Sequence, residues 1–213
     1  MKRTKIFGTA VFLFAICHPT ALLQASYVYP VEVFTNNGGY SNSPDLDMYV
    51  AVSDQSGAVD FTFYNESLIN SSVSRIYFDD GSLLGIAAVT NGPGTSFSQL
   101  ATPGDLAGGG LLKPPFVTSQ EFCMDGDPPA YHNGVNPVQP GNPLEWVRVT
   151  FDLADGATLS AVIDQLNSGA LRIGVHIIGL PDGSSESGVT VAEPVTIALL
   201  GLGTFALVRR RRS

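Results

Sequence analysis

Carboxylates set close together are the residues of this chain with the plainest capacity for chemistry. Asp45 stands near Asp47, Asp79 beside Asp80, Asp125 near Asp127, and Asp182 near Glu186. Calcium takes roughly six to eight oxygen ligands, and neighbouring loop aspartates supply them readily. Asp125 and Asp127 are the first candidates for such a site, which makes calcium the one cofactor the sequence suggests. No pair fits the EF-hand loop, and Asp-Gly and Asp-Pro are also ordinary turn chemistry, so both readings stand. A hydrolase would need a nucleophile with a base, or two positioned carboxylates. His132 and His176 are the histidines available beyond the first 25 residues. The chain carries no Gly-x-Ser-x-Gly elbow, no His-Glu-x-x-His and no cysteine–histidine signature. Gly108-Gly109-Gly110 has no helix signal after it, so it is not a phosphate loop. The expectation is a protein that is not an enzyme. A polysaccharide-binding role would use exposed aromatics, and Phe116, Phe122 and Tyr131 lie in loop-like sequence.

Strands must position these groups. Val31–Phe34, Met48–Val52, Val59–Tyr64, Ser74–Phe78 and Trp146–Phe151 alternate apolar and polar residues, the period of a half-buried strand. In the third of these, Val59, Phe61 and Phe63 point one way while Asp60, Thr62 and Tyr64 point the other. Leu83–Val89 is nearly continuous in apolar residues and reads as a strand buried on both faces. Leu171–Leu180 closes the series, with Arg172, Gly174 and His176 opposite Ile173, Val175 and Ile177. Leu159, Val162, Ile163 and Leu166 recur at helical spacing, between Thr158 as N-cap and Gly169 as stop. The stretch 91–143 is rich in Gly, Pro, Asn and Ser and reads as long loops around one or two short strands, one near Glu121–Met124. These elements predict an all-β fold: an antiparallel β-sandwich, jelly-roll-like, with one short helix across a sheet end.

The two ends differ from this middle. Lys2, Arg3 and Lys5 precede the apolar run Ile6–Ile16, Pro19 breaks it, and Ala25 offers a cleavage point before Ser26. That is the pattern of a secretory signal peptide over residues 1–25, an N-terminal signal helix. Cys17 leaves with it, so Cys123 is alone in the mature chain and an intrachain disulfide is excluded. At the other end, fourteen uncharged residues from Val195 to Val208 are followed by Arg209, Arg210, Arg211 and Arg212. As a helix this run spans about 21 Å, short against a hydrocarbon core of about 30 Å. Its terminal position, lack of charge and basic stop nevertheless read as a C-terminal transmembrane helix with the arginines inside, arginine stems and local thinning covering the shortfall. Between the ends, about 169 residues hold four basic residues against all 19 acidic ones, a net of −15 where the whole chain is −8. So acidic a surface repels nucleic acid and anionic lipid headgroups.

The tail resembles the sorting tail of PEP-CTERM proteins, exported by Gram-negative bacteria that make exopolysaccharide. The resemblance rests on Ala192-Glu193-Pro194 before the apolar run, on Leu199-Leu200-Gly201-Leu202-Gly203 within it, and on the arginine block. Alanine stands where the family motif has its first proline, which lifts one backbone restraint. Ile76–Asp80, Asp125–Pro129, Asn133–Asn136 and Leu171–His176 are similar, in that order, to segments recurring among the ectodomains of this family. The resemblance implies recognition of Ala192, Glu193 and Pro194 by a membrane protease, an exosortase, as processing partner. It implies a β-rich fold and no established activity. Tails of this kind are also grouped with ice-binding C-termini, but the regular threonine array that ice binding would use is not in this sequence. The expected organisation is a signal peptide (1–25), an acidic ectodomain (26–188) and a sorting tail (189–213). The expected role is structural or adhesive, at the cell surface or in the extracellular matrix of a biofilm. The alternative is polysaccharide binding, with calcium assisting and exopolysaccharide as partner.

Overall fold

The computed structural model describes residues 26–55, 57–79, 84–99, 104–118, 123–153 and 156–192. The signal segment, Asp80, Phe122, Glu193, Pro194, the apolar run and the arginine block lie outside them. Among the described residues no helix is long and apolar enough to cross a membrane.

Ten strands form one antiparallel sheet that nearly closes on itself. They are β1 (Ser26–Val33), β2 (Met48–Asp54), β3 (Ala58–Asn65), β4 (Ser72–Asp79), β5 (Leu84–Asn91), β6 (Phe97–Gln99), β7 (Cys123–Gly126), β8 (Val147–Leu153), β9 (Arg172–Ile178) and β10 (Glu186–Thr190). Their spatial order is β5-β8-β3-β2-β1-β10-β9-β4-β7-β6. Strand β1 serves two partners in turn: Ser26–Pro30 pair with β2, and Val31–Val33 pair with β10. At the ends of the order, the Asn91 side chain of β5 accepts from Phe97 N–H (2.7 Å) and donates to its carbonyl (3.1 Å) on β6. That pair brings the two sheet ends together without a continuous ladder.

The alternating segments form strands because each has one apolar face to bury. Val59, Phe61 and Phe63 of β3, Val147, Val149 and Phe151 of β8, and Ile173, Val175 and Ile177 of β9 all join one core. Phe78 of β4 reaches across it, with its ring centroid 5.4 Å from Phe61, 6.4 Å from Phe63 and 4.8 Å from Phe151. All three contacts are edge-to-face, the geometry aromatic quadrupoles favour. Helix α2 (Leu159–Ser168) packs Val162, Ile163 and Leu166 into the same core. The Thr158 hydroxyl accepts from Ala161 N–H, and Gly169 closes the helix at φ 73°. Both caps are those the sequence marks.

Three elements depart from expectation. β5 is an end strand whose one ladder among the described residues is with β8, and its Ala88 is exposed and Val89 half-buried, so these residues are not covered on both faces. An apolar run long enough for a central strand here lies at the sheet edge. The four-residue helix α1 (Ala130–Asn133) arises inside the loop-like stretch, where β6 and β7 are the two short strands. β10 carries the fold past residue 188 to Thr190, and Val191 N–H donates to the Pro30 carbonyl at 3.1 Å.

Replacing Phe78 with Ala should cost about 3–5 kcal/mol, the usual loss for a buried Phe whose cavity cannot collapse. Chemical denaturation with an unchanged slope and a lowered midpoint is the expected result.

Candidate functional site

Asp79, Asp125, Asp127 and Asp182 are each held by protein groups. On β7, Asp125 takes the Arg75 guanidinium in both oxygens, Nε at 3.1 Å and Nη2 at 3.0 Å. Asp127 accepts from the hydroxyls of Ser96 (2.7 Å) and Ser98 (2.9 Å), which hold its carboxyl below the usual aspartate range. The two carboxylates expected to share a calcium therefore serve separate partners. Asp182 caps its own turn, accepting from Ser184 N–H and the Ser184 hydroxyl. Asp79 pairs with Arg172, whose guanidinium also donates to the carbonyls of Pro114 and Pro115 at 2.7 Å. Among the described residues no three His, Cys, Asp or Glu side chains converge as metal ligands.

Glu186 is the carboxylate whose importance the sequence conceals. It is fully buried at the start of β10 and accepts from the Thr35 hydroxyl (2.5 Å) and Gly38 N–H (2.8 Å). Thr35 in turn accepts from Ser187 N–H at 2.7 Å. Burial pushes the Glu186 carboxyl up, but the donors from Gly38, Thr35 and Asn37 outweigh it and the net direction is down. This network ties the segment after β1 to β10.

The histidines stand apart. His176 on β9 lines a cleft of about 400 Å³ with Arg75 and Asp125. Burial, reinforced by the Arg75 charge, lowers its pKa. Its Nδ1 is buried without a hydrogen-bond partner, and both Asp125 oxygens are engaged by Arg75. The carboxylate that would orient the imidazole as a general base is thus committed elsewhere.

Of the loop aromatics, Phe116 is a correction. It is 7 % exposed and packs with Tyr77, Leu106 and Val189 in a second small core, with the Arg172 guanidinium over its ring. Gly174 makes room: a Cβ there would sit 2.6 Å from Leu106 Cδ2 and 3.1 Å from Phe116 Cζ. The mid-strand glycine, a mark of close approach, is the signal that could have found this burial. Phe122 lies outside the described residues. Tyr131 is 54 % exposed on α1, its ring centroid 4.0 Å from that of His132. It borders a second cleft of about 300 Å³, lined with Asn70, Ser71, Ser72, Asn136, Pro137, Gln139 and Gly179. Asn70 and Gln139 are exposed.

Local bonds hold this cleft in place. Asn133 Nδ2 donates to the Asp127 carbonyl at 2.9 Å, and Val73 and Val135 exchange backbone bonds at 3.0 Å. Glu145 accepts from both the backbone N–H and the side-chain amide of Asn136, at 2.8 and 2.9 Å. Comparison with protein-family models, curated proteins and solved structures finds no match for the chain.

Thr35→Val should cost about 1–3 kcal/mol by leaving Glu186 short of a donor. Because the folded pKa of Glu186 is depressed, its stabilisation is present above the ordinary glutamate range and is lost as pH falls through the folded value. Glu186→Gln should therefore flatten the acid limb of a stability-versus-pH curve measured by denaturant titration.

Proposed function

We propose that this is an exported, non-enzymatic protein of the cell surface or extracellular matrix, sorted through its C-terminal tail by an exosortase-like membrane protease. Its folded part is then an acidic, jelly-roll-like sandwich held outside the cytoplasmic membrane. The observation that carries the reading is the path of the chain at its exit from the fold. Among the described residues the last backbone bond, Val191 to Pro30, comes one residue before the exposed Ala192 that opens the Ala192-Glu193-Pro194 motif. The apolar run starts at Val195, so four residues, at most about 14 Å, separate β10 from the proposed membrane segment. A stalk that short suits a domain displayed against the membrane until a cut at the motif frees it. The commitments of Asp125 to Arg75 and of Asp127 to serines support a structural role for these carboxylates.

A second reading, polysaccharide binding by the displayed domain, is favoured by one feature: Tyr131 stands exposed at the edge of a cleft lined with amides.

Intact mass spectrometry of the protein, expressed with and without a matching exosortase, tests the first reading. A product trimmed near Pro194 only when the protease is present is expected. A chain that keeps Arg209–Arg212 in both cases would sink it.

A further inference from the structure

The second reading leaves open what sort of polysaccharide would bind, and whether a cation is needed. We infer that the cleft beside Tyr131 takes a neutral glycan without a metal ion. The inference rests on the polysaccharide reading of that cleft and narrows it.

Charge makes the first part of the case. The region between the two ends carries a net −15, so an anionic glycan would approach against its field. Within the cleft, the lining among the described residues is wholly uncharged: serine hydroxyls, the amides of Asn70, Asn136 and Gln139, a proline and a glycine. Glu145, bonded to the lining residue Asn136, accepts from both its backbone N–H and its side-chain amide. A site for a uronate would need a cation facing the ligand. Arg75, in the neighbouring cleft, already gives two donors to Asp125.

Shape and hydrogen-bonding capacity make the second part. A pyranose offers an apolar face of C–H groups and a rim of hydroxyls that both donate and accept. Tyr131 supplies a flat, solvent-exposed ring with a polar tip, on a short helix held at its C-terminal end. Helix α1 is closed by Gly134 N–H to the Ala130 carbonyl (2.9 Å) and anchored through Asn133 to Asp127. Exposed carboxamides such as Asn70 and Gln139 carry a donor and an acceptor each, the pairing a sugar hydroxyl uses. A volume of about 300 Å³ is at the small end of ligand clefts, enough for one or two sugar units of a longer chain.

Cation independence follows from where the carboxylates sit. Asp125 and Asp127 are outside the lining of this cleft and are held by Arg75 and by Ser96 and Ser98.

The test is affinity electrophoresis of the full chain in mild detergent, through gels holding a neutral glucan, mannan or galactan, or alginate, with and without EDTA. Retardation by at least one neutral polymer, unchanged by EDTA, is expected. Tyr131→Ala should weaken it about tenfold, and Asn70→Ala and Gln139→Ala each severalfold, with melting temperatures unchanged because all three side chains are exposed. Retardation by alginate alone, or its loss in EDTA, would overturn the neutral, metal-free site and leave polysaccharide binding standing. Neutral binding that survives Tyr131→Ala would overturn the location. No retardation by any polymer would overturn both the inference and the reading beneath it.

Discussion

One strand is shared between the two halves of the sheet, and that sharing governs the rest. β1 spends its first five residues on β2 and its last three on β10, with Pro30 at the handover. Proline has no N–H to offer a second neighbour, but its carbonyl still accepts from Val191. A strand that changes partner midway lets one continuous sheet turn back over itself, so that β4 and β9 come to face β3 and β8. Phe78 can then meet Phe61, Phe63 and Phe151 across a single core. Without the handover there would be two sheets, each with an unpaired edge to protect.

Such a closure buries polar side chains along with apolar ones, and several of them find protein partners. Asp60 and Thr62, on the face of β3 away from the aromatic core, are 2 % and 5 % exposed. Thr150 donates to Asp60 at 2.5 Å, Arg148 lies 3.5 Å from its other oxygen, and Arg148 Nε donates to Thr62 at 3.3 Å. Asn65, fully buried at the end of β3, donates to the Val135 carbonyl at 3.0 Å and accepts from Ser67 N–H at 3.1 Å. Glu186 does the same work for the segment after β1. A buried carboxylate without donors would raise its pKa or unfold its surroundings; with three, it becomes a clasp.

Most of the strands could be read from the sequence because burial on one face writes a period of two. Helix α2 was legible from the 3.6-residue period and both caps, Thr158 and Gly169. β10 was not legible, since Glu186, Ser187 and Gly188 have no apolar pattern. Glu186 and Ser187 are bonded by the segment from Thr35 to Gly38, and Gly188 lies against Val31 and Val175, long-range facts that local pattern cannot carry. Phe116 was misread for the same reason, since its burial depends on Gly174 nearly sixty residues away. At the candidate site, Tyr131 was legible as a loop aromatic, whereas Asn70, which shares its cleft, comes from a loop about sixty residues earlier in the chain. Asp125 and Asp127 read as a pair by proximity, but the Asp125 carboxylate takes Arg75 of β4 while that of Asp127 takes Ser96 and Ser98, at and just before β6.

The long Gly- and Pro-rich stretch reads as loops, and its described parts are stitched to the sheet by side-chain amides. Asn133, Asn136 and Asn91 each bond backbone groups that helices and ladders leave unpaired. Asparagine does this well because its short side chain presents a donor and an acceptor with little rotamer entropy to lose. A surface built in this way is ordered before any ligand arrives. Binding there then loses little further conformational freedom, and a few weak contacts, a ring face and two amides, can suffice for recognition.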